Sequence, residues 1–384
     1  MLSTAQKFLN KSYAAAGVNI ELGDAASRIL YEAAKASWQG RQGKIGEVIV
    51  PFDDFSGIRA IDVSNLPPGS LMNINFDSIG TKTEIAERMS DHSSMAFDLF
   101  AMVCDDAVVR GGEPVLVGSI LEVSSLGTDG ANYIEHVKQL AQGYTAAAKA
   151  ANVAIVNGEV AEVGQRVKGY GPFNYNWGAA VVWFARKDRM LTGREIRADD
   201  AIIAFKDPGF RSNGLSLARR ILTNLHGKEW HHEKLNGEFL GKQCLTPSVI
   251  YCSAVVQMFG GFQQEPQVNL SGIVHVTGGG IPGKLGRVLK PTGLGADLFD
   301  LFEPHPLMRY CQEKGTISDE EAYRTWHMGQ GMLILSPQPD QVLALAQRSS
   351  ITAKVVGRVR EKPGITIKNK GFFADQNKEL AFKS

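Results

Sequence analysis

Apolar positions in the first half of the chain alternate between runs of strand length and stretches with helical spacing. Continuous apolar runs are typical of buried strands, and apolar residues three or four positions apart are typical of helices. The pattern predicts strands at 70–76, 114–123, 153–160 and 177–186, and helices at 93–112 and 130–153. Strands that alternate with long helices indicate an α/β or α+β fold.

The pattern restarts near residue 190 and repeats the same plan. A strand and turn at 197–209 lead into a helix that begins at 212, and 272–289 read as strand, glycine turn and helix. Late strands are predicted at 329–338 and 351–361, and the tail beyond about 365 is polar and predicted to be peripheral. We therefore predict two domains, residues 1–190 and 191–384.

The length of the chain agrees with two domains, and its net charge limits the classes of partner to expect. The chain has 384 residues, more than one ordinary core needs. Lys and Arg total 41 and Asp and Glu total 40, so the net charge of +1 gives no electrostatic reason to expect nucleic acid or a membrane.

No apolar run reaches the roughly 18 residues of a membrane span. The N-terminus lacks a secretory apolar region, and the four cysteines form no CxxC pair, which favours reduced, mostly buried thiols in a cytoplasmic protein.

A short turn after the first predicted strand combines a carboxylate, a glycine and a lysine. In DSIGTK, Asp77 could bind Mg²⁺, Gly80 could let the backbone approach a phosphate, and Lys82 could contact phosphate oxygens. The GxxxxGK[ST] spacing of a Walker loop is absent. A charged turn with a purely structural role is the alternative.

Two further acidic segments follow apolar stretches. Asp105 and Asp106 are adjacent within the predicted helix, so at most one can follow its buried face, and either orientation is open. Glu159 and Glu162 come where the third predicted strand ends, with Gly158 as a bend. Asp77, Asp106 and Glu159 together would supply the oxygen ligands that Mg²⁺ prefers. Solvated pairs and a polar turn are the alternatives.

Glycine-bearing turns precede both predicted helices of the second half. One is PGFRSNG at 208–214, and the other is HVTGGGIPGK at 275–284. Three consecutive glycines before a helix suit an anion at the helix N-terminus, although they could also be a flexible connection. His327, in a later turn, is predicted to pack or form hydrogen bonds rather than to act in catalysis.

These motifs together resemble the aminoimidazole ribonucleotide synthetase (phosphoribosylformylglycinamidine cyclo-ligase) family. Each motif is weak alone, but eight occur in the family's order over nearly the whole chain. The matching stretches are YAAAGVNIELGDAAS, DSIGTK, DLFAMVCDDAVVRGGEP, NGEVAE, SNGLSLARRIL, LTPSVIY, HVTGGGIPGKLGRVL and RTWHMGQGM.

The resemblance implies a fold, a reaction and a set of site residues. The expected fold has an N-terminal α/β domain whose sheet pairs with its twin in a homodimer, and a larger C-terminal α/β domain. The implied reaction is Mg²⁺- and ATP-dependent ring closure of formylglycinamidine ribonucleotide, a small-molecule substrate of purine biosynthesis. The implied catalytic residues are Lys82, Asp106 and Arg211. The implied ATP-binding residues are Asp77, Gly80, Thr81, Lys82, Asp106 and Glu159, with Asp77, Asp106 and Glu159 on the metal. The implied substrate or phosphate contacts are Ser212, Asn213, Gly214, Thr277, Gly278, Gly279 and Gly280.

The chain departs from the family pattern at several of these turns. Arg211 stands where the family usually has histidine, and an arginine cannot exchange a proton near neutral pH. Asp105 replaces an asparagine, and Gly283-Lys284 replaces Glu-Asn. Further replacements are Ser78, Asn157, His327 and the segment at 46–57, which stands in place of a Gly-Gly-Phe loop. The alternatives to a working cyclo-ligase are an ATP-binding or regulatory paralogue and a kinase-like relative with another substrate.

Overall fold

Two β-sheets, each covered by helices, organise the chain. The structure is a computed structural model that describes residues 18–49, 59–128, 131–374 and 379–383. The first residues of the opening motif and most of the 46–57 segment lie outside those ranges. One sheet is built from strands between 70 and 186 and the other from strands between 201 and 382. The mixed α/β fold expected from the sequence is confirmed.

The first half contains a four-stranded sheet with helices on one face. The described strands are β1 (Val48–Ile49), β2 (Ala60–Ile61), β3 (Ser70–Ser78), β4 (Glu113–Val123), β5 (Gly127–Thr128), β6 (Ala131–Asn132), β7 (Ala154–Glu162) and β8 (Tyr175–Arg186). The described helices are α1 (Ile20–Lys35), α2 (Lys82–Met89), α3 (Met95–Val108) and α4 (Ile134–Ala151). The sheet order is β3-β8-β4-β7, with β4 and β7 parallel and the other pairs antiparallel.

The second half contains a seven-stranded sheet in the order β12-β14-β9-β15-β13-β16-β17. Its strands and the hairpin beside it are β9 (Ala201–Lys206), β10 (Lys234–Leu235), β11 (Glu238–Phe239), β12 (Gly272–His275), β13 (Gly295–Leu298), β14 (Gln330–Ser336), β15 (Ala353–Arg360), β16 (Gly364–Lys368) and β17 (Glu379–Phe382). The helices are α5 (Leu215–His226), α6 (Leu240–Cys244), α7 (Cys252–Phe259), α8 (Gly280–Leu289), α9 (Pro306–Gly315), α10 (Asp319–Thr325) and α11 (Pro339–Arg348).

The predicted strands and long helices are present, and the boundary drawn near residue 190 falls between β8 and β9. The division into two domains stays a prediction. The prediction of a peripheral tail beyond 365 is wrong. Strand β16 pairs with both β13 and β17, and Ile365 and Ile367 are buried in the core of the second sheet. Alternation of Ile365 and Ile367 with polar neighbours places one face of the strand in the core.

The cysteines and the helix lengths agree with the composition. All four cysteines are free and buried, as predicted. Among the residues that the structure describes, none of the helices combines the length and the apolar character needed to cross a bilayer.

Glu87 of α2 makes the stability of the first half depend on pH. Burial raises the pKa of Glu87 to about 7, although the Tyr170 and Tyr175 backbone amides donate to its carboxylate at 2.8 and 3.3 Å. Because the folded-state pKa is raised, its contribution is present below pH 4.5 and is lost as the pH rises through about 7. We expect wild type to lose about 2–3 kcal/mol of unfolding free energy relative to Glu87→Gln between pH 5 and pH 8.

Urea unfolding of both proteins at the two pH values measures this difference. The matched control is Glu135→Gln, which changes an exposed carboxylate on α4. A gap between wild type and Glu87→Gln that stays constant with pH would show that Glu87 is not the titrating group.

Candidate active site

Three turns predicted from the sequence meet in a cleft between the two sheets. Gly80, after β3, has φ +66°, and a Cβ built on it would lie 4.0 Å from the Ser212 carbonyl oxygen. Thr81 Oγ1 lies 3.2 Å from Ser216 Oγ at the start of α5. A Cβ on Gly278 would lie 3.7 Å from Asn213 Oδ1. The end of β3 and the N-termini of α5 and α8 therefore form one site.

The orientation of the two adjacent aspartates on α3, left open by the sequence, is settled by the packing. Asp105 is fully buried, and its Oδ1 accepts from the Tyr251 and Cys252 amides at 2.9 and 2.8 Å. The Asp106 side chain is 44% exposed and reaches the cleft. Only Asp106 of the pair can therefore contact a ligand there.

Asp106 is held by a histidine from the second sheet. His275, at the end of β12, places Nδ1 2.6 Å from Asp106 Oδ1. Burial would raise the pKa of Asp106, but the hydrogen bond from His275, together with the charges of Lys284 and Arg211, holds that pKa below its usual value. Asp106 is thus kept ionised. His275 is a site residue that its local sequence did not indicate, although it is the first residue of HVTGGGIPGK.

The pKa of Asp77 depends on several of the groups that act on Asp106. Burial raises the pKa of Asp77, the Ser78 amide that donates to it at 2.7 Å opposes the rise, and the charge of Asp106 adds to it. His275 and Lys284 lower the same pKa. Two carboxylates close enough for the charge of one to raise the pKa of the other can share a bound cation. Lys284, half-buried in α8, is the cation that acts on both of them.

The predicted three-carboxylate magnesium set is not assembled within one chain. Strand β7 continues to Glu162, so Glu159 lies within the strand and not at its end. Glu159 is in register with Ile120, Gly178 and Ser78, three strand spacings or about 14 Å from β3. The side chain of Glu159 therefore starts on the same face of the sheet as that of Ser78. Because successive side chains of a strand point to opposite faces, the Asp77 side chain starts on the other face. Glu162 instead accepts from the Asn19 and Leu126 amides, both at 2.7 Å.

Lys82 is also misassigned as a phosphate contact. Its side chain is fully buried, and Nζ donates to Asp98 Oδ1 and to the Thr246 carbonyl oxygen, both at 2.8 Å. Ser248 Oγ donates to the same Asp98 carboxylate at 2.5 Å. Lys82 is thus paired beneath the turn, and Lys284 is the lysine whose charge lowers the pKa of both Asp77 and Asp106.

Arg211 is buried as well, so it cannot contact a substrate directly. Its guanidinium donates to Asp207 at 2.8 Å, Asp105 at 3.0 Å and the Val249 carbonyl oxygen at 2.9 Å. The prediction that Arg211 is a catalytic residue is therefore corrected: its side chain is a buried counter-ion of Asp105 and Asp207.

The glycines of the two later turns divide into two kinds. Gly214 and Gly280 have positive φ, and a Cβ on them would overlap Trp326 and the Tyr323 carbonyl oxygen, so packing alone explains both residues. Gly278 and Gly279 are exposed, and no Cβ clash excludes a ligand from their backbone. Thr277 is half-buried beside them.

Two other polar groups complete the site. Ser212 Oγ is buried and has no hydrogen-bond partner among the described residues, so its role as a substrate contact stays a prediction. Asn213 Nδ2 lies 3.4 Å from Met102 Sδ. His327 is buried, lies 2.9 Å from the Gly209 carbonyl oxygen and has its pKa lowered to about 4, mainly by burial. The expectation that His327 packs and forms hydrogen bonds is confirmed.

This arrangement suits a metal-bound phosphate. Asp77 and Asp106 offer carboxylate oxygens, and Mg²⁺ is usually held by one or two carboxylates together with phosphate oxygens. The Gly278–Gly279 backbone before the N-terminus of α8 and the charge of Lys284 favour an anion beside the cation. Asp77 and Asp106 fit the metal that the sequence implied, without Glu159.

The chain is similar to known proteins over most of its length. The family described as AIR synthase related protein matches with its N-terminal domain at residues 60–181 and with its C-terminal domain at 197–370. The phosphoribosylformylglycinamidine cyclo-ligase of Methanocaldococcus jannaschii is 30% identical over 74% of this chain and 77% of its own. That of Pyrococcus furiosus is 30% identical over 94% and 98%.

Solved structures of the hydrogenase maturation protein HypE share the fold. The Escherichia coli protein has a TM-score of 0.60 at 14% identity and covers 93% of this chain and 95% of its own. A HypE structure in complex with ATP has a TM-score of 0.52 at 13% identity, with 84% and 86% coverage. At these identities the likeness concerns the fold alone.

Proposed function

We propose, from the premise that this chain belongs to the AIR synthase family and is a ligase-type enzyme, that it converts formylglycinamidine ribonucleotide and ATP into aminoimidazole ribonucleotide, ADP and phosphate. The observation that carries the proposal is the Asp77–Asp106 carboxylate pair, which faces the glycine turns of the second half across one cleft. The proposal places the enzyme in purine biosynthesis in the cytoplasm.

The chemistry requires an activated amide oxygen. ATP transfers its terminal phosphoryl group to the formyl amide oxygen, the amidine nitrogen attacks the activated carbon, and phosphate leaves as the imidazole closes. An amide oxygen is otherwise a poor leaving group, so most of the protein's contribution is positioning and charge neutralisation. Mg²⁺, when bound, would neutralise triphosphate charge.

Each part of the cleft has a role in this proposal. Asp77 and Asp106 hold the metal, and Lys284 supplies a positive charge beside the phosphates. The Gly278–Gly279 backbone and the unpartnered Ser212 hydroxyl bind phosphate or substrate oxygens. Asn213, half-buried in the same turn, can donate its amide to the substrate.

A direct assay tests the function. Purified protein is incubated with Mg-ATP and formylglycinamidine ribonucleotide, and ADP and aminoimidazole ribonucleotide are followed together. Equal amounts of both support the cyclo-ligase. Neither product from a protein that binds ATP contradicts it.

A kinase-like relative with another substrate is the second candidate, and the burial of Arg211 favours it. Where the family usually has a histidine, this chain has a fully buried guanidinium, so no proton-exchanging side chain from that position reaches the cleft. Neither product in the same assay, from a protein that still binds ATP, would support this second candidate, whereas ADP without the imidazole would show phosphorylation uncoupled from ring closure.

We also propose a homodimer formed through the outer face of the first sheet. That face exposes Met72 (66%), Ile74, Phe76 (73%) and Ile120, and it contains a groove of about 620 Å³. An apolar sheet face of this kind is rarely left in water. A second copy offers the same face, as a two-fold interface requires.

Phe76→Asp should convert the dimer to a monomer. In a two-fold interface the substitution places two new carboxylates near the contact, so the mass measured by light scattering should fall from twice 41.7 kDa to 41.7 kDa. Phe299→Asp is the control, because Phe299 is also an exposed phenylalanine, at 47%, but lies beyond the first sheet. A wild-type protein that is already monomeric at micromolar concentration contradicts the proposed interface.

A further inference from the structure

Arg211 connects two buried carboxylates to the exposed carboxylate of the site. The two terminal nitrogens of Arg211 have different partners. Nη1 donates to Asp207 Oδ2. The two nearest acceptors of Nη2 are Asp105 Oδ2 at 3.0 Å and His275 Nε2 at 2.9 Å. His275 then reaches Asp106 through Nδ1 at 2.6 Å. A continuous chain of charge-assisted hydrogen bonds therefore leads from the core to the cleft.

The geometry fixes which nitrogen of His275 carries the proton. A guanidinium has only donors and keeps its charge, so the imidazole nitrogen that faces it must accept. Nε2 is consequently unprotonated, and the ring proton resides on Nδ1, where it donates to Asp106. The other tautomer would direct two donors at each other and leave the short contact to Asp106 without a hydrogen.

The arginine is itself immobilised. It is a non-glycine residue at φ +57°, a left-handed conformation that costs energy and persists only where the surroundings impose it. Asp105 is anchored by two backbone amides, and Arg211 also donates to the Val249 carbonyl oxygen. A fixed guanidinium can hold the ring of His275 in one orientation.

Two residues that depart from the family pattern, Asp105 and Arg211, contact each other. Asp105 stands where the family has a neutral asparagine and Arg211 where it has a histidine, and the structure pairs the two new charges at 3.0 Å. An unpaired charge of either sign would be costly at this buried position. The two replacements therefore compensate each other.

We propose that Arg211 is a positioning residue that holds His275 as its Nδ1–H tautomer and thereby aims Asp106 into the cleft. The role given to Asp106 rests on the proposed function, whereas the tautomer does not. Partners that orient a metal ligand from behind are often worth 10–100-fold in metal affinity or activity. Arg211 thus contributes to the site without touching a substrate.

Nitrogen-15 NMR of the full-length protein, labelled at histidine and free of nucleotide, tests the tautomer directly. Wild type should show His275 protonated at Nδ1 alone, with the signal assigned by its loss in His275→Asn. In Arg211→Gln combined with Asp105→Asn, which replaces this buried ion pair with neutral amides, no cationic donor faces Nε2 and the Nε2–H form should appear. An Nε2–H ring in wild type, or a tautomer unchanged in this double variant, would overturn the inference.

Two substitutions of His275 give a kinetic readout. Asparagine retains a donor near the Nδ1 position, whereas glutamine retains an acceptor near Nε2 and loses the donor to Asp106. We expect His275→Gln to need about tenfold more Mg²⁺ than His275→Asn for half-maximal ATP turnover. Equal requirements in two variants with the same melting temperature would contradict the positioning role.

The two readouts separate the inference from the proposed function. An Nδ1–H tautomer that depends on Arg211, in a protein whose Mg²⁺ requirement is unaffected by Asp106→Asn, would retain the tautomer and refute the metal site. A protein without cyclo-ligase activity in which ATP turnover still distinguishes the two His275 variants would refute only the substrate.

Discussion

Asp106→Asn should lower Mg²⁺-dependent turnover by about 100-fold, the scale on which metal-site partners and charge-stabilising groups act. The substitution removes the charge of the exposed carboxylate in the cleft but leaves an amide oxygen that can still accept from His275 Nδ1. The fold should therefore survive, since the Asp106 side chain is 44% exposed. Formation of ADP and aminoimidazole ribonucleotide, measured as a function of Mg²⁺ concentration, gives the size of the loss.

The dependence of turnover on Mg²⁺ concentration shows whether such a loss comes from weaker metal binding or from another defect. If Asp106 binds the metal, raising Mg²⁺ should recover part of the activity, because the weakened site can be saturated. Asp340→Asn, at an exposed position of α11, is the matched control and should behave as wild type. Turnover and Mg²⁺ requirement that remain unchanged in Asp106→Asn would show that the metal assignment is wrong.

The arrangement of strands and helices could be predicted because period and length carry that information. The apolar run at 70–76 lies in a strand, and the helical spacing within 93–112 matches the helix Met95–Val108. The error came at 364–368, where an alternating Ile-Thr-Ile segment is hidden in a polar tail. Alternation over five residues is a short signal, and pairing with distant β13 determines its burial.

The candidate site could be predicted only as a set of turns. The order of the motifs indicated that DSIGTK, SNG and TGGG belong to one site, and the structure places Gly80, Asn213 and Gly278 around one cleft. The role of each side chain within a turn depends on its rotation about the helix or strand that carries it. For Asp105 and Asp106 the sequence left both orientations open, and packing on the Tyr251 and Cys252 amides decides between them.

Partners that are distant in sequence explain the remaining errors. Nothing local to Lys82 identifies Asp98 or the Thr246 carbonyl oxygen as its contacts, and nothing local to Arg211 identifies His275. A charged residue in a glycine-bearing turn is equally compatible with a ligand and with a buried counter-ion. Lys82 and Arg211 are both buried counter-ions, and Lys284 is the lysine whose charge acts on the carboxylates of the cleft.

Lys82→Met should destabilise the protein by about 3–5 kcal/mol, because it leaves the fully buried Asp98 carboxylate without its counter-ion. Burial already raises the pKa of Asp98, and Lys82 is the main group that opposes the rise. A carboxyl with a raised folded-state pKa stabilises the fold less as the pH rises through that value. The loss should therefore be larger at pH 8 than at pH 5 when both are measured by urea unfolding.

The exposed pair Lys138–Glu135 on α4 is the matched control. Both pairs join a lysine to a carboxylate, but Lys138 is half-exposed, so Lys138→Met should cost no more than about 0.5 kcal/mol. Adding Asp98→Asn to Lys82→Met should restore part of the stability, because a neutral amide needs no counter-ion. If Lys82→Met instead leaves stability unchanged and weakens ATP binding, the lysine faces the nucleotide as the sequence suggested. A large loss of stability that Asp98→Asn partly reverses would establish the ion pair beneath the turn and leave Lys284 as the cation of the cleft.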